Sequence, residues 1–284
     1  MRLDGKRWDV ELPCGLRDVE EGLRRRAVLV ALDGGAELLA ADEQNPFLAA
    51  HHVLARCVRR LGARREASVD DIRALSTIDR DYLVVQLDRL TFSDVRYQTM
   101  RCPLPECRSR MDVELDLAGV VATPAAAREH AFSLQSGAIV RFRSLAAGDQ
   151  EVLFAVPATG RSQVLLERCL IGTHGEAAAL LERIDPRERT ALALAIGEAT
   201  PVLDLELALE CPKCKQSFSH VYDPIRGLLG RIHQSRAELL TEVHHLAIHY
   251  HWSHQEILDL PRTLRREYLE ILERELSPRR RVGA

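Results

Sequence analysis

Arg101-Cys102-Pro103-Leu104-Pro105-Glu106-Cys107-Arg108 and, in the second half of the chain, Glu210-Cys211-Pro212-Lys213-Cys214-Lys215 decide how this sequence is read. Each cysteine pair is flanked by residues that alternate apolar and polar. Met111-Asp112-Val113-Glu114-Leu115-Asp116-Leu117 follows the first pair, and Leu203-Asp204-Leu205-Glu206-Leu207-Ala208-Leu209 precedes the second. A period of two marks half-buried strands, so each pair is expected at the tip of a β-hairpin. Two thiolate pairs on separate hairpins can complete a tetrahedral all-cysteine zinc site, a closed set of ligands with no open position for chemistry. Cys102, Cys107, Cys211 and Cys214 are therefore read as ligands of a structural zinc.

The competing readings are reduced thiol pairs and local disulfides. A disulfide framework fits poorly, because the seven cysteines are odd in number and no signal peptide is read at the start. A redox Cys-x-x-Cys belongs at a strand-to-helix junction, whereas Cys211–Cys214 is placed between strands. Cys14, Cys57 and Cys169 read as ordinary buried thiols.

The 284 residues are enough for one large domain or two small ones. With 46% hydrophobic and 29% charged residues, the composition is that of a globular protein. No apolar run approaches the roughly 18 residues that span a bilayer, and a cytoplasmic location is expected. The formal charge is −3 and aromatic residues make up 5%, which argues against a global attraction to nucleic acid and against a base-stacking surface. The basic residues are nearly all arginine, and Arg24–Arg26 and Arg279–Arg281 read as solvated clusters.

Working outward from the knuckles, the pattern predicts an α+β fold. Strands are expected at Trp8–Leu12 and Arg24–Leu32, with Asp33-Gly34-Gly35 as a turn. A helix is expected from Pro46 through Leu61, closed by Gly62. Ser68 caps a short helix, and Asp79–Leu90 forms another that feeds the first knuckle. Residues 119–130 read as a linker. A hairpin around Ser136-Gly137 and a helical stretch from Ala146 to Ala199 lead to the second knuckle. The tail is helical: Arg236–Tyr250, a break at His251-Trp252, a capping box at Ser253/Glu256, and a last helix after Pro261. The expected organisation is an α+β domain over 1–118, a second α+β segment over 131–235 and a helical module over 236–284. The repeated order of helices followed by a knuckle suggests an internal duplication.

Catalytic patterns are scarce. The sequence has no phosphate-binding glycine loop, nucleophile elbow or His-Glu-x-x-His pair. His245 and His249 lie one helical turn apart within the His244–His254 cluster, which leaves a metal-dependent enzyme as the third-ranked reading. His51-His52 is a still weaker metal candidate. The carboxylates read as solvated charges on amphipathic helices.

Several stretches together resemble the T-even phage-type baseplate hub assembly chaperone family, whose members also occur in contractile-tail and extracellular injection systems. They are Leu12-Pro13-Cys14-Gly15, Ile78-Asp79-Arg80-Asp81-Tyr82-Leu83, the knuckle at Cys102…Cys107 with Met111-Asp112-Val113, Val140-Arg141-Phe142-Arg143, Asp149-Gln150-Glu151, and Cys211-Pro212…Cys214. The tail from Glu242 through Trp252-Ser253 to Leu260 is similar to a helical module that recurs in long relatives. Cys102–Cys107 departs from the family by its longer spacing. The resemblance implies a non-enzymatic role in building the baseplate hub, with hub, spike or tube-initiator proteins as partners, no nucleic acid and no membrane. On this reading Trp252, Ile257 and Leu260 are candidate docking residues. The runner-up is a zinc-knuckle nucleic-acid-binding regulator that uses Lys213, Lys215, Arg108 and Arg110.

Overall fold

A computed structural model describes residues 7–18, 22–121, 124, 128–172, 174–234 and 236–276. Most of the Ala-rich part of the expected linker, and Arg279–Arg281, lie outside the described residues. The fold is α+β. Strands β1 (Arg7–Asp18) and β2 (Gly22–Val30) form a hairpin, followed by helices α1 (Gly34–Asp42) and α2 (Pro46–Cys57). Strands β3 (Val58–Leu61) and β4 (Arg64–Arg65) complete an antiparallel sheet in the order β1-β2-β3-β4. Helices α3 (Val69–Arg73) and α4 (Thr77–Thr91) lead into β5 (Val95–Arg101) and β6 (Arg110–Asp116), the first knuckle hairpin.

The second half opens with the hairpin β7 (Glu129–Ser133) and β8 (Ile139–Arg143). Helices α5 (Ala147–Ala155), α6 (Arg161–Cys169), α7 (His174–Arg183) and α8 (Pro186–Ala199) follow. The second knuckle hairpin is β9 (Glu206–Glu210) and β10 (Ser217–Val221), and α9 (Pro224–Gln234) comes directly after it. The tail is α10 (Arg236–Tyr250), α11 (His254–Leu258) and α12 (Arg262–Leu276). Among the described residues no helix is long and apolar enough to cross a membrane.

Two expectations near the N-terminus are corrected. Asp33-Gly34-Gly35 is a helix start, not a turn: the Asp33 carboxylate accepts the Ala36 N–H at 2.8 Å and caps α1. Gly34 lets the tail pack closely there: a Cβ would meet Leu258 Cδ2 at 2.7 Å and the Leu258 Cα at 3.2 Å, so the tail would have to shift. The helix expected through Leu61 stops at Cys57. Val58–Leu61 instead pairs with β2, so tertiary pairing overrides the helical spacing of Val58 and Leu61. The expected caps do form: Ser68 makes a capping box with Asp71, and Ser253 makes one with Glu256.

Apolar packing divides the molecule into four clusters. The largest buries Leu12, Leu29, Val53, Leu54, Ile72, Leu83 and Leu87 between the four-stranded sheet and α1–α4. Ile225, Leu228, Leu229 and Ile232 of α9 belong to the same cluster, so the end of the segment drawn at 131–235 packs into the N-terminal core. A second cluster joins β8 to α6–α8 through Phe142, Leu166, Leu181 and Leu192. The two halves meet at a bridge between Ser76 and Ala146, the residues that precede α4 and α5. Each of these helices carries an aspartate in its first turn that is turned inward, Asp79 onto the Cys14 N–H and Asp149 onto the Ala146 N–H, both at 2.8 Å.

The tail folds on its own small core of Leu239, Val243, Leu246, Ile257 and Leu258, with Trp252 packed against it. Trp252 stacks on Tyr250 at 5.0 Å and meets Tyr268 edge-on at 4.9 Å. Ile257 and Leu260 are buried, Ile257 within the module's core, so the expectation that these two present a docking surface is corrected. Many carboxylates expected to be solvated are also buried, among them Glu37, Asp79, Asp88, Asp149 and Glu242. Glu37 accepts hydrogen bonds from Arg262 and Arg265, both at 2.6 Å, which fastens the tail to α1.

Candidate metal centre

The two knuckle hairpins stand side by side on a shared apolar footing. Leu115 and Leu117 from the first, Leu203 and Leu205 from the approach to the second, and Tyr222 at its end cluster with Ile78 and Val85 of α4. Arg96 of β5 reaches across, donating to the Tyr222 hydroxyl at 3.2 Å and pairing with the buried Asp88. Tyr222 in turn fills the space over Gly227, where a Cβ would overlap its hydroxyl. This footing sets the strand pairs so that both tips face each other.

At the tips the backbone, more than the strands, places the sulfurs. The Cys102 N–H donates to Ser109 O and the Cys211 N–H to Gln216 O, which closes each loop. The first loop absorbs its two extra residues in a turn in which Cys107 and Arg108 both donate to Leu104 O. The residue after the second cysteine is left-handed in both knuckles, Arg108 at φ 46° and Lys215 at φ 61°. Such a conformation is uncommon outside glycine and is held only where the surroundings demand it.

The result is a four-sulfur cluster in which the Sγ atoms of Cys102, Cys107, Cys211 and Cys214 all lie within 4.8 Å of one another. Cys102 faces Cys214 at 3.8 Å and Cys107 faces Cys211 at 3.8 Å, so these contacts run between hairpins, over 112 and 104 residues of chain. Four cysteines this close can bind a metal ion. Their acidities already differ: N–H groups of Cys214 and Lys213 hold the Cys211 thiol down to about 6, while Cys102 is pushed up to about 12, first by burial and then by the other sulfurs. A cation at the centre removes that mutual penalty, because thiolates are the metal-binding form.

The remaining thiols are accounted for differently. Cys14, Cys57 and Cys169 are buried one by one in separate places, and burial raises each thiol's pKa. The histidines at 244, 245, 249, 251 and 254 are exposed and, among the described residues, take part in no metal-holding group. Lys213, Lys215, Arg108 and Arg110 are exposed around the cysteine tips, and Lys215 pairs with Glu210 at 3.6 Å.

One polar site was not legible in the sequence. His51 of α2 is fully buried and its Nδ1 lies 2.8 Å from Glu151 of α5. Arg73 grips both oxygens of the same carboxylate, at 2.9 and 2.8 Å. The carboxylate fixes the neutral tautomer with the proton on Nδ1, and burial takes the His51 pKa down to about 4. Nothing local marks this triad, since Glu151 is 100 residues from His51.

No family model, no curated protein and no solved structure matches this chain.

Proposed function

We propose that the protein is a non-enzymatic assembly chaperone or minor structural component of the baseplate hub of a phage tail-like contractile injection system, and that its four cysteines hold a structural zinc. The observation that carries this reading is the clip itself. Four thiols from two hairpins converge, and among the described residues no histidine or carboxylate joins the group, which is the donor set of a structural site. A tetrahedral site with Zn–S bonds of about 2.3 Å has sulfur–sulfur edges of about 3.8 Å, the spacing of Cys102 from Cys214 and of Cys107 from Cys211. Such a clip produces a rigid platform, as an assembly factor requires. The assignment to a baseplate rests on the sequence stretches quoted above, and the partners it implies are hub, spike or tube-initiator proteins.

A second reading, a nucleic-acid-binding regulator, is favoured by the four exposed cations at the knuckle tips. Against it stand the acidic outer faces of the same hairpins, with Asp112, Glu114, Glu206 and Glu210 exposed.

The test is to delete the gene in a particle-producing strain, restore it with a tagged copy, and quantify tail components by mass spectrometry. The proposal expects assembled hubs to be lost on deletion and baseplate proteins to co-purify with the tagged chain. Normal particle yield without the protein sinks it.

A further inference from the structure

The open face of the four-stranded sheet carries a concentration of positive charge that neither the metal centre nor the core explains. A groove of about 770 Å³ crosses it, lined by Arg7, Arg26, Arg59, Arg60 and Arg65 around an apolar floor at Val28. Two carboxylates, Asp9 and Glu66, complete the lining. Five cations against two anions give the groove a formal charge of +3, within a chain whose total is −3. The charge is therefore placed here, against the sign of the whole molecule.

The register makes the placement costly. Arg60 of β3 stands directly opposite Arg65 of β4, and like charges facing each other across a strand pair destabilise a sheet. Val28 and Asp9 continue the same row on β2 and β1. Among the described residues, the side chains of Arg59 and Arg65 make no ion pair. Arg26 pairs with Asp9 at 2.8 Å, but both are more than 60% exposed, so the bond is open to competition from a ligand. Arg26 and Arg60 together hold the Asp9 carboxyl below its ordinary range, the Arg26 hydrogen bond contributing most.

We propose that this groove is a docking site for a carboxylate-rich polypeptide segment of a partner protein. Guanidinium groups match carboxylates with paired hydrogen bonds, and arginine is the cation used throughout the groove. The lining contains no aromatic ring on which a base can stack. Asp9 and Glu66 interrupt the positive row, which opposes a continuous phosphate backbone but suits a peptide that carries its own occasional lysine. The inference concerns a different face from the cysteine cluster and stands independently of the baseplate reading.

Fluorescence anisotropy on the purified full chain tests it, with a labelled Asp/Glu-rich peptide of about twelve residues and a labelled DNA duplex as probes, in low salt, where surface charges act over roughly 10 Å or more. The peptide should bind saturably. Arg26→Glu/Arg60→Glu/Arg65→Glu should weaken it at least tenfold, about 1.4 kcal/mol. Arg108→Glu/Arg110→Glu at the first knuckle should leave the affinity within about twofold, a few tenths of a kcal/mol. If the triple reversal does not fold by circular dichroism, Arg26→Gln/Arg60→Gln/Arg65→Gln replaces it with the same expectation. No saturable peptide binding overturns the proposal. So does equal weakening by the knuckle variant, or tighter binding of the duplex than of the peptide.

Discussion

Glu37→Ala should destabilise the protein more than any exposed-charge substitution, because it strands two buried guanidinium groups. Glu37 is 2% exposed and its two oxygens take one hydrogen bond each from Arg262 and Arg265. Without it Arg265 keeps Glu242 at 3.0 Å and Leu260 O at 3.0 Å. Arg262 keeps the mostly exposed Glu238 at 3.6 Å and the face of the Phe92 ring at 5.1 Å, weaker partners than those left to Arg265, so it carries most of the loss. Removing one partner of a buried pair costs on the order of 3–5 kcal/mol, and the surviving Glu242 contact places the expected value toward 3. Urea unfolding with the metal site saturated measures it, and the slope of the transition should not change. Arg266→Ala is the control and should cost no more than about 1 kcal/mol, because Arg266 is itself exposed and the inner Glu242 it touches keeps Arg265. In a Trp8→Phe background Trp252 alone reports on the tail, and its signal should shift with the global transition. A loss below about 1 kcal/mol for Glu37→Ala would refute the reasoning, since that is the range of an exposed ion pair.

Two further outcomes follow from the sites described. The folded state holds His51 at about 4, below its usual 6.5, so the unfolded chain takes up the proton first as pH falls. Stability is then complete above about 6.5 and declines toward 4 by roughly 3 kcal/mol, and His51→Gln should flatten that decline; parallel pH curves for the two proteins exclude it. As for the metal, elemental analysis should find one zinc per chain, and both a strong chelator and Cys211→Ser should remove it and lower the melting temperature, because structural zinc contributes on the order of 10 kcal/mol to folding. Zinc-free protein after metal-replete expression refutes the assignment.

What the sequence discloses here are features whose cause is local. Alternation plus proline marked both knuckle hairpins, and Ser253/Glu256 marked its helix start, because strands and caps are written within a few residues. The convergence of the two cysteine pairs was inferred from ligand chemistry, and the structure brings all four sulfurs together. The failures are non-local. Gly34-Gly35 reads as a turn until the closeness of Leu258 explains why a helix there excludes a side chain. Glu37 reads as a solvated carboxylate because its partners lie 225 and 228 residues away. Val58 and Leu61 fit a helical stripe, and only the free edge of β2 makes a strand the better use of them.

The four-sulfur cluster and the apolar footing sit at opposite ends of the two hairpins. A lone two-stranded hairpin is at best marginally stable in water. Near the footing, Leu115, Leu203, Leu205 and Tyr222 supply burial, and Arg96 ties the hairpins together through Tyr222 and Asp88. Toward the tips that support thins: Leu207, Leu209 and Phe218 are only half-buried, and Pro103, Pro105, Pro212 and Lys213 are exposed. Two non-glycine residues held left-handed add on the order of 1–3 kcal/mol each against the folded tips. Half-buried leucines do not offset that as well as the ordering of both loops. A bound ion would, by a margin of several kcal/mol, and only with both hairpins in place. An ion held by the four thiols would therefore stabilise the pairing of two distant parts of the chain more than either hairpin alone, while the apolar footing determines where the tips stand.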